Sequence, residues 1–184
     1  MVYLIMQTIL LLLFIISIGA IVFSTIMNGI SPMPTSRKAT TKITSLVKDY
    51  VNQHQSPTIY DLGSGWGTLL YSLAKRYPHA TIIGIENSLI PFYISKLFVL
   101  FGISKSNIKL IFKNFNHVNL QSADIILCYL FPLAMEKLKH KFLMELNPGT
   151  IIISHTFEIR GWTPVKIIEI NDFYKSNIYV YQLK

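Results

Sequence analysis

The chain has 184 residues, 51% of them hydrophobic and only 14% charged, with a formal net charge of +8. This excludes a disordered or acidic chain and is oilier than an ordinary soluble domain. A single cysteine, Cys128, excludes an internal disulfide framework and any multi-cysteine zinc site.

The excess of apolar residues is concentrated at the start, because no charged residue occurs before Arg37. Val2 to Met27 is long enough for a helix to cross the ~30 Å hydrocarbon core of a bilayer, which needs about 20 residues. A cleaved signal peptide fits less well: no basic residue precedes the apolar run, the run exceeds the usual h-region, and no small-x-small site follows it. Residues 1–28 therefore read as an uncleaved anchor. Arg37, Lys38, Lys42 and Lys48 follow it closely, so the positive-inside tendency predicts a single-pass membrane protein with its C-terminal domain on the cytoplasmic side. Residues 29–37, with Gly29, Pro32 and Pro34, read as a linker.

From residue 38 to 184 the period alternates. Residues 38–53 carry Ile43, Leu46, Val47 and Tyr50 at helical spacing. Thr58–Leu62 reads as a buried parallel strand, Thr68–Tyr77 as a helix closed by Pro78, Ala80–Glu86 as a second strand, and Ser88–Phe101 as a helix closed by Gly102. Ile108–Phe112, Asp124–Tyr129 and Thr150–Ser154 are three more strands, with a helix over Leu133–Leu146 between the last two. Val165–Ile170 and Asn177–Leu183 are joined by too short a link for a crossover helix, which predicts an antiparallel pair. The expected fold is α/β: a Rossmann-like, doubly wound seven-stranded sheet with an antiparallel C-terminal hairpin, preceded by one transmembrane helix.

The chemistry centres on Asp61-Leu62-Gly63-Ser64-Gly65-Trp66-Gly67, at the junction of the first strand and its helix. Three glycines in five residues let a ligand approach the backbone beside the N–H groups of a helix start. The G-x-G-x-G spacing is not the dinucleotide fingerprint, and no Walker lysine follows. Glu86, at the end of the second strand, is placed to accept hydrogen bonds from ribose hydroxyls. Together these residues predict an adenosine-like ligand without a pyrophosphate.

This combination of D-x-G-x-G-x-G, a strand-two acid and a terminal hairpin resembles the class I S-adenosylmethionine-dependent methyltransferases. The resemblance implies S-adenosyl-L-methionine as cofactor, with Asp61, Gly63, Ser64, Gly65, Gly67 and Glu86 around it and Asn114 at the adenine edge. The anchor, the segment Pro32-Met33-Pro34-Thr35-Ser36, the DLGSGWG loop and the aromatic tail Phe157–Pro164 further resemble the small membrane-anchored protein lysine methyltransferases. That family includes the enzymes that methylate the ATP synthase c subunit, together with prokaryotic relatives. Trp66 stands where an acid is common there.

The acceptor side is expected after the fourth strand, where Cys128-Tyr129-Leu130-Phe131-Pro132 lacks the Asn/Asp-Pro-Pro-aromatic signature of adenine or glutamine amino-methylation. Tyr129 and Phe131 are candidates for the walls of a lysine channel, with core packing as the competing reading. His155 is the one histidine placed to act there; the five histidines show no metal-ligand spacing, and no metal is expected. Cys128 reads as inert packing. The basic run Lys137, Lys139, His140 and Lys141 reads as a solvated face or a lipid-headgroup contact.

The reading is a protein-lysine N-methyltransferase with a protein substrate in or near the membrane, contacting lipid through residues 2–27. The alternatives are a methyltransferase for a small molecule, a lipid or a quinone precursor, and a non-catalytic cofactor-binding module. Scattered basic residues disfavour nucleic acid.

Overall fold

The computed structural model describes residues 1–28, 35–51, 55–102, 107–171 and 175–184. Residues 29–34 of the expected linker 29–37, the last two residues of the helix expected over 38–53, His54, and residues 103–106 and 172–174 lie outside this set. Helix α1 runs Val2–Asn28 and α2 Arg37–Val51, the latter opened by Ser36, whose Oγ accepts from the Ala39 N–H at 3.1 Å. There follow β1 (Thr58–Leu62), α3 (Thr68–Arg76), β2 (Thr81–Glu86), α4 (Leu89–Phe101), β3 (Ile108–Phe112), β4 (Ile125–Cys128), α5 (Pro132–Glu145), β5 (Ile151–His155), β6 (Lys166–Glu169) and β7 (Asn177–Gln182).

The seven strands form one sheet in the order β3-β2-β1-β4-β5-β7-β6. Pairs from β3 to β5 are parallel; β7 is antiparallel to both β5 and β6. The expected hairpin is therefore present, with β7 inserted between β5 and β6. The chain winds outward from β1 through β2 to β3, then returns to place β4 on the other side of β1. Such a reversal opens a crevice at the carboxyl ends of the strands.

Alternation along the strands divides the core into two layers. Ile59, Ile82, Ile125 and Ile151 face α2 and α3, where Ile43, Leu46, Val47, Leu70 and Leu73 are buried. Their neighbours Tyr60, Ile83, Ile126 and Ile152 face α5, through Met135, Leu138 and Phe142. Alternation of strand and helix is not complete. The chain between β3 and β4 contains only the 3-10 turn Phe115–His117, and residues 156–165 contain no helix. The second face is closed instead by irregular chain, in which Val118, Leu120, Ile159 and Trp162 pack beside α5. The aromatic tail is thus packing: Trp162 lies edge-on to Tyr181 at 6.0 Å.

Candidate functional site

Four parallel strands bring residues at or next to their carboxyl ends into one row at the crevice. Leu62 pairs with Ile85 and with Cys128, and Cys128 with Ser154. One step beyond that row stand Gly63, Glu86, Tyr129 and His155. A single cleft runs along this edge, and its lining includes Asp61, Gly63, Ser64, Gly65, Glu86, Asn114, Tyr129, Phe131 and His155. Nine of the ten site residues expected from sequence therefore meet in one place, from Asn114 at one end to His155 at the other.

The tenth, Gly67, serves the loop from behind. It precedes α3 at φ 78°, and a Cβ there would come within 2.3 Å of Ser95 Oγ on α4. Gly67→Ala is expected to cost about 1–3 kcal/mol through left-handed strain and overpacking, and to lower the midpoint of thermal unfolding by about 5 °C. Calorimetric scanning checks it; an unchanged midpoint would show that α4 yields freely.

Gly65 has a different use. It is at φ 53°, and an added Cβ would meet no protein atom closer than 4.0 Å. That position keeps the floor of the cleft open instead of packing it. Its N–H donates to Glu86 Oε2 at 2.8 Å, while the N–H groups of Asn87 and Ser88 donate to Oε1 at 2.9 and 2.7 Å. Glu86 thus ties the glycine loop to the start of α4 and is fixed before any ligand arrives. Ser64 Oγ is buried with no hydrogen-bond partner among the described residues, close to where a Cβ on Gly84 would sit.

Asp61 lies in the same cleft, only 6% exposed. Burial, aided by the negative charge of Glu86, pushes its carboxyl up to about 7. Two acidic side chains lining one cleft at a glycine loop suit a ligand that carries positive charge and hydroxyl donors. Beyond Glu86 the cleft is lined by Asn114, Phe115 and Asn116. Asn114 caps the 3-10 turn, its Oδ1 accepting from the Asn116 N–H at 2.9 Å. A cation with a ribose and a flat base, as in S-adenosylmethionine, fits this donor and acceptor set.

On the other side the cleft is walled by Tyr129, Leu130, Phe131 and His155, over a floor of Cys128 and Ile153. The rings of Tyr129 and His155 are 4.5 Å apart, inclined at 45°. His155 is the last residue of β5, not past it; its Nε2 lies 3.0 Å from Ser176 Oγ. Thr156, at φ 72°, turns the chain directly after it. Cys128 is buried and its thiol is pushed up to about 12 by desolvation, so it is no nucleophile.

Sequence reasoning did not find Thr35, Ile43 and Lys137 in the cleft lining. Thr35 belongs to the pre-domain segment, the one available signal for it. The basic run on α5 separates into individual tasks: Lys139 Nζ donates to Arg160 O at 2.7 Å, Lys141 pairs with Glu145 at 2.5 Å, and Lys137 reaches the cleft. Among the described residues no group of three or more His, Cys, Asp or Glu side chains comes together as a metal site.

Comparison with known proteins gives the same reading. Residues 61–166 match the family model of the ANTKMT methyltransferase domain. A protein-lysine N-methyltransferase of Saccharolobus islandicus (strain REY15A) is 31% identical over 144 residues, covering 76% of this chain and 84% of the relative. An RNA methyltransferase from Salinibacter ruber, solved with S-adenosyl-L-homocysteine, superposes with a TM-score of 0.73 at 22% identity, covering 82% of this chain and 94% of that one. The human methyltransferase 10 domain containing protein gives a TM-score of 0.67 at 12% identity, over 91% and 94% of the two chains. At these identities the two structures speak for the fold.

Proposed function

The chain belongs to the ANTKMT methyltransferase domain family and is a class I S-adenosylmethionine-dependent methyltransferase, and from that premise we propose that it is a protein-lysine N-methyltransferase whose substrate is a protein in or beside a membrane. The observation that carries the lysine assignment is the 31% identity to a protein-lysine N-methyltransferase over 84% of that protein's length. The membrane assignment rests on α1, whose Val2–Val22 portion is long and apolar enough to cross a bilayer, with the basic cluster Arg37 to Lys48 directing the catalytic domain to the cytoplasmic side. A tether confines the enzyme to two dimensions and raises its effective concentration toward membrane-borne substrates.

In this reading Asp61, Gly63, Ser64, Gly65 and Glu86 hold the cofactor, Gly67 fixes their loop, and Asn114 borders the adenine. The bound cofactor supplies a methyl group on a sulfonium, poised for in-line displacement. The protein's task is to align the acceptor and exclude water. Tyr129, Leu130 and Phe131 close the acceptor side with apolar surface, and the His155 ring, held at Nε2 by Ser176, backs Tyr129. A lysine must arrive as the neutral amine. Burial over Cys128 and Ile153 disfavours its ammonium form, and the positive charge of Lys137 at the rim acts in the same direction.

The test is incubation of the full chain with a membrane fraction and methyl-labelled cofactor, followed by separation into protein, lipid and nucleic acid. Label is expected in the protein fraction. Label in lipid or RNA alone would overturn the substrate class.

A further inference from the structure

Helix α4 is the most apolar of the described α-helices that follow α1, and the one with the smallest share of buried residues. Its sequence, LIPFYISKLFVLF, contains a single charge, yet only Pro91, Phe92 and Ser95 are buried. Leu89, Tyr93, Leu97, Phe98, Leu100 and Phe101 are all more than half exposed. Most of these six lie at successive helical turns, so they form a stripe and not a scatter. Phe112, at the end of the neighbouring edge strand β3, extends the patch, and its ring lies 5.0 Å from that of Phe92. A soluble monomer rarely leaves so continuous an apolar surface uncovered.

Length and surroundings point to the occupant. Thirteen residues make a helix of about 20 Å, too short to cross a ~30 Å hydrocarbon core but suited to lying in its interface. Helix α1 touches α4, so the exposed stripe lies on a helix adjoining the one that, among the described residues, is long and apolar enough to span a bilayer. No acidic residue occurs from Asn87 to Ala123, whereas Lys96, Lys105, Lys109 and Lys113 do. Lys96, Lys109 and Lys113 are exposed. An apolar stripe whose helix carries the exposed Lys96 and no acid, and which adjoins a helix of spanning length, complements an anionic lipid surface.

We propose that α4 lies in the membrane interface as a second, in-plane attachment, which seats the catalytic domain on the bilayer instead of leaving it free on a tether. This rests on the reading of α1 as a span. The functional consequence follows from position: Ser88, at the N-cap of α4, stands with Glu86 and Asn87 in the cleft lining. Seating α4 fixes the height of the cleft above the lipid. The accessible acceptors are then lysines at the headgroup level, close to a transmembrane or interfacial segment of their own protein.

The experiment is spin-label depth measurement on the full chain in vesicles of phosphatidylcholine and phosphatidylglycerol. Single cysteines replace Leu97, Phe101, Ile15 in α1, or Met144 in α5; all four positions are exposed, so folding is preserved. Cys128 is buried and its high thiol pKa leaves it unlabelled. At positions 97 and 101, oxygen accessibility relative to that of a water-soluble nickel chelate is expected to exceed the ratio at 144 by about tenfold, with a depth shallower than at 15. Chelate access at 97 and 101 equal to that at 144, with 15 in lipid, overturns the seating of α4 and leaves the anchor standing. Chelate access at 15 as well removes the anchor and this inference together. Exclusion of both reagents from 97 and 101 means that protein covers the stripe, a second copy or a partner, and likewise overturns the proposal.

Discussion

Glu86→Ala is expected to abolish cofactor binding within the measurable range, a loss on the order of a hundredfold or more, and to destabilise the fold by about 2 kcal/mol. The affinity loss follows from removing a charged acceptor for the ribose, since hydrogen bonds to charged groups contribute about 1.5–3 kcal/mol each. The stability loss follows from the three backbone N–H groups of Gly65, Asn87 and Ser88, which donate to this carboxylate and would lose their acceptor. Relief of repulsion with Asp61 offsets part of it. Titration calorimetry with S-adenosyl-L-homocysteine and denaturant unfolding separate the two effects. An affinity within a factor of a few of the parent would remove Glu86 from the cofactor site.

The second large effect is a pH dependence centred on Asp61. Its carboxyl, pushed up to about 7 first by burial and then by Glu86, holds a proton in the free protein below that pH. Binding a sulfonium favours the ionised form, so the proton must leave when the cofactor binds. Affinity is therefore expected to rise by up to tenfold per pH unit as pH increases toward 7, and to level off above it. Asp61→Asn removes the proton and flattens the profile while weakening binding at pH 8. The same group affects stability with the opposite sign. The unfolded carboxyl ionises near 3.8, so between about 4 and 7 the folded state binds the extra proton, and stability falls as pH rises through this window. Calorimetry from pH 5 to 8 in buffers of different ionisation enthalpy reports the proton release directly. A flat affinity profile in the parent protein would show that Asp61 is already ionised.

Both effects were legible in the sequence as places but not as states. Asp61, the glycine loop and Glu86 announce a ligand site because their spacing puts them at two adjacent strand ends. That Asp61 is buried deeply enough to hold a proton depends on the packing around it. The strands were legible because each is a short apolar run between turn residues, and the hairpin because residues 171–176 leave no room for a crossover. The missing helices between β3 and β4 and between β5 and β6 were not, since a chain segment without helical periodicity does not reveal what covers the sheet in its place. Thr35, Ile43 and Lys137 reach the cleft from the segment before α2, from α2 and from α5, the last far from the others in sequence. Helix α4 is the clearest gap: its composition reads equally as a buried core helix, and only the exposure of Leu97, Phe98, Leu100 and Phe101 distinguishes the two.

The most direct measurement of the central claim is peptide mass spectrometry on membranes from cells lacking this protein, incubated with the full chain and S-adenosylmethionine carrying a deuterated methyl group. The account predicts deuteromethyl groups on lysine ε-nitrogens of membrane proteins, and none when Glu86→Ala replaces the parent chain. Deuterated methyl groups only on other side chains, or on proteins washed free of the membrane, would contradict it.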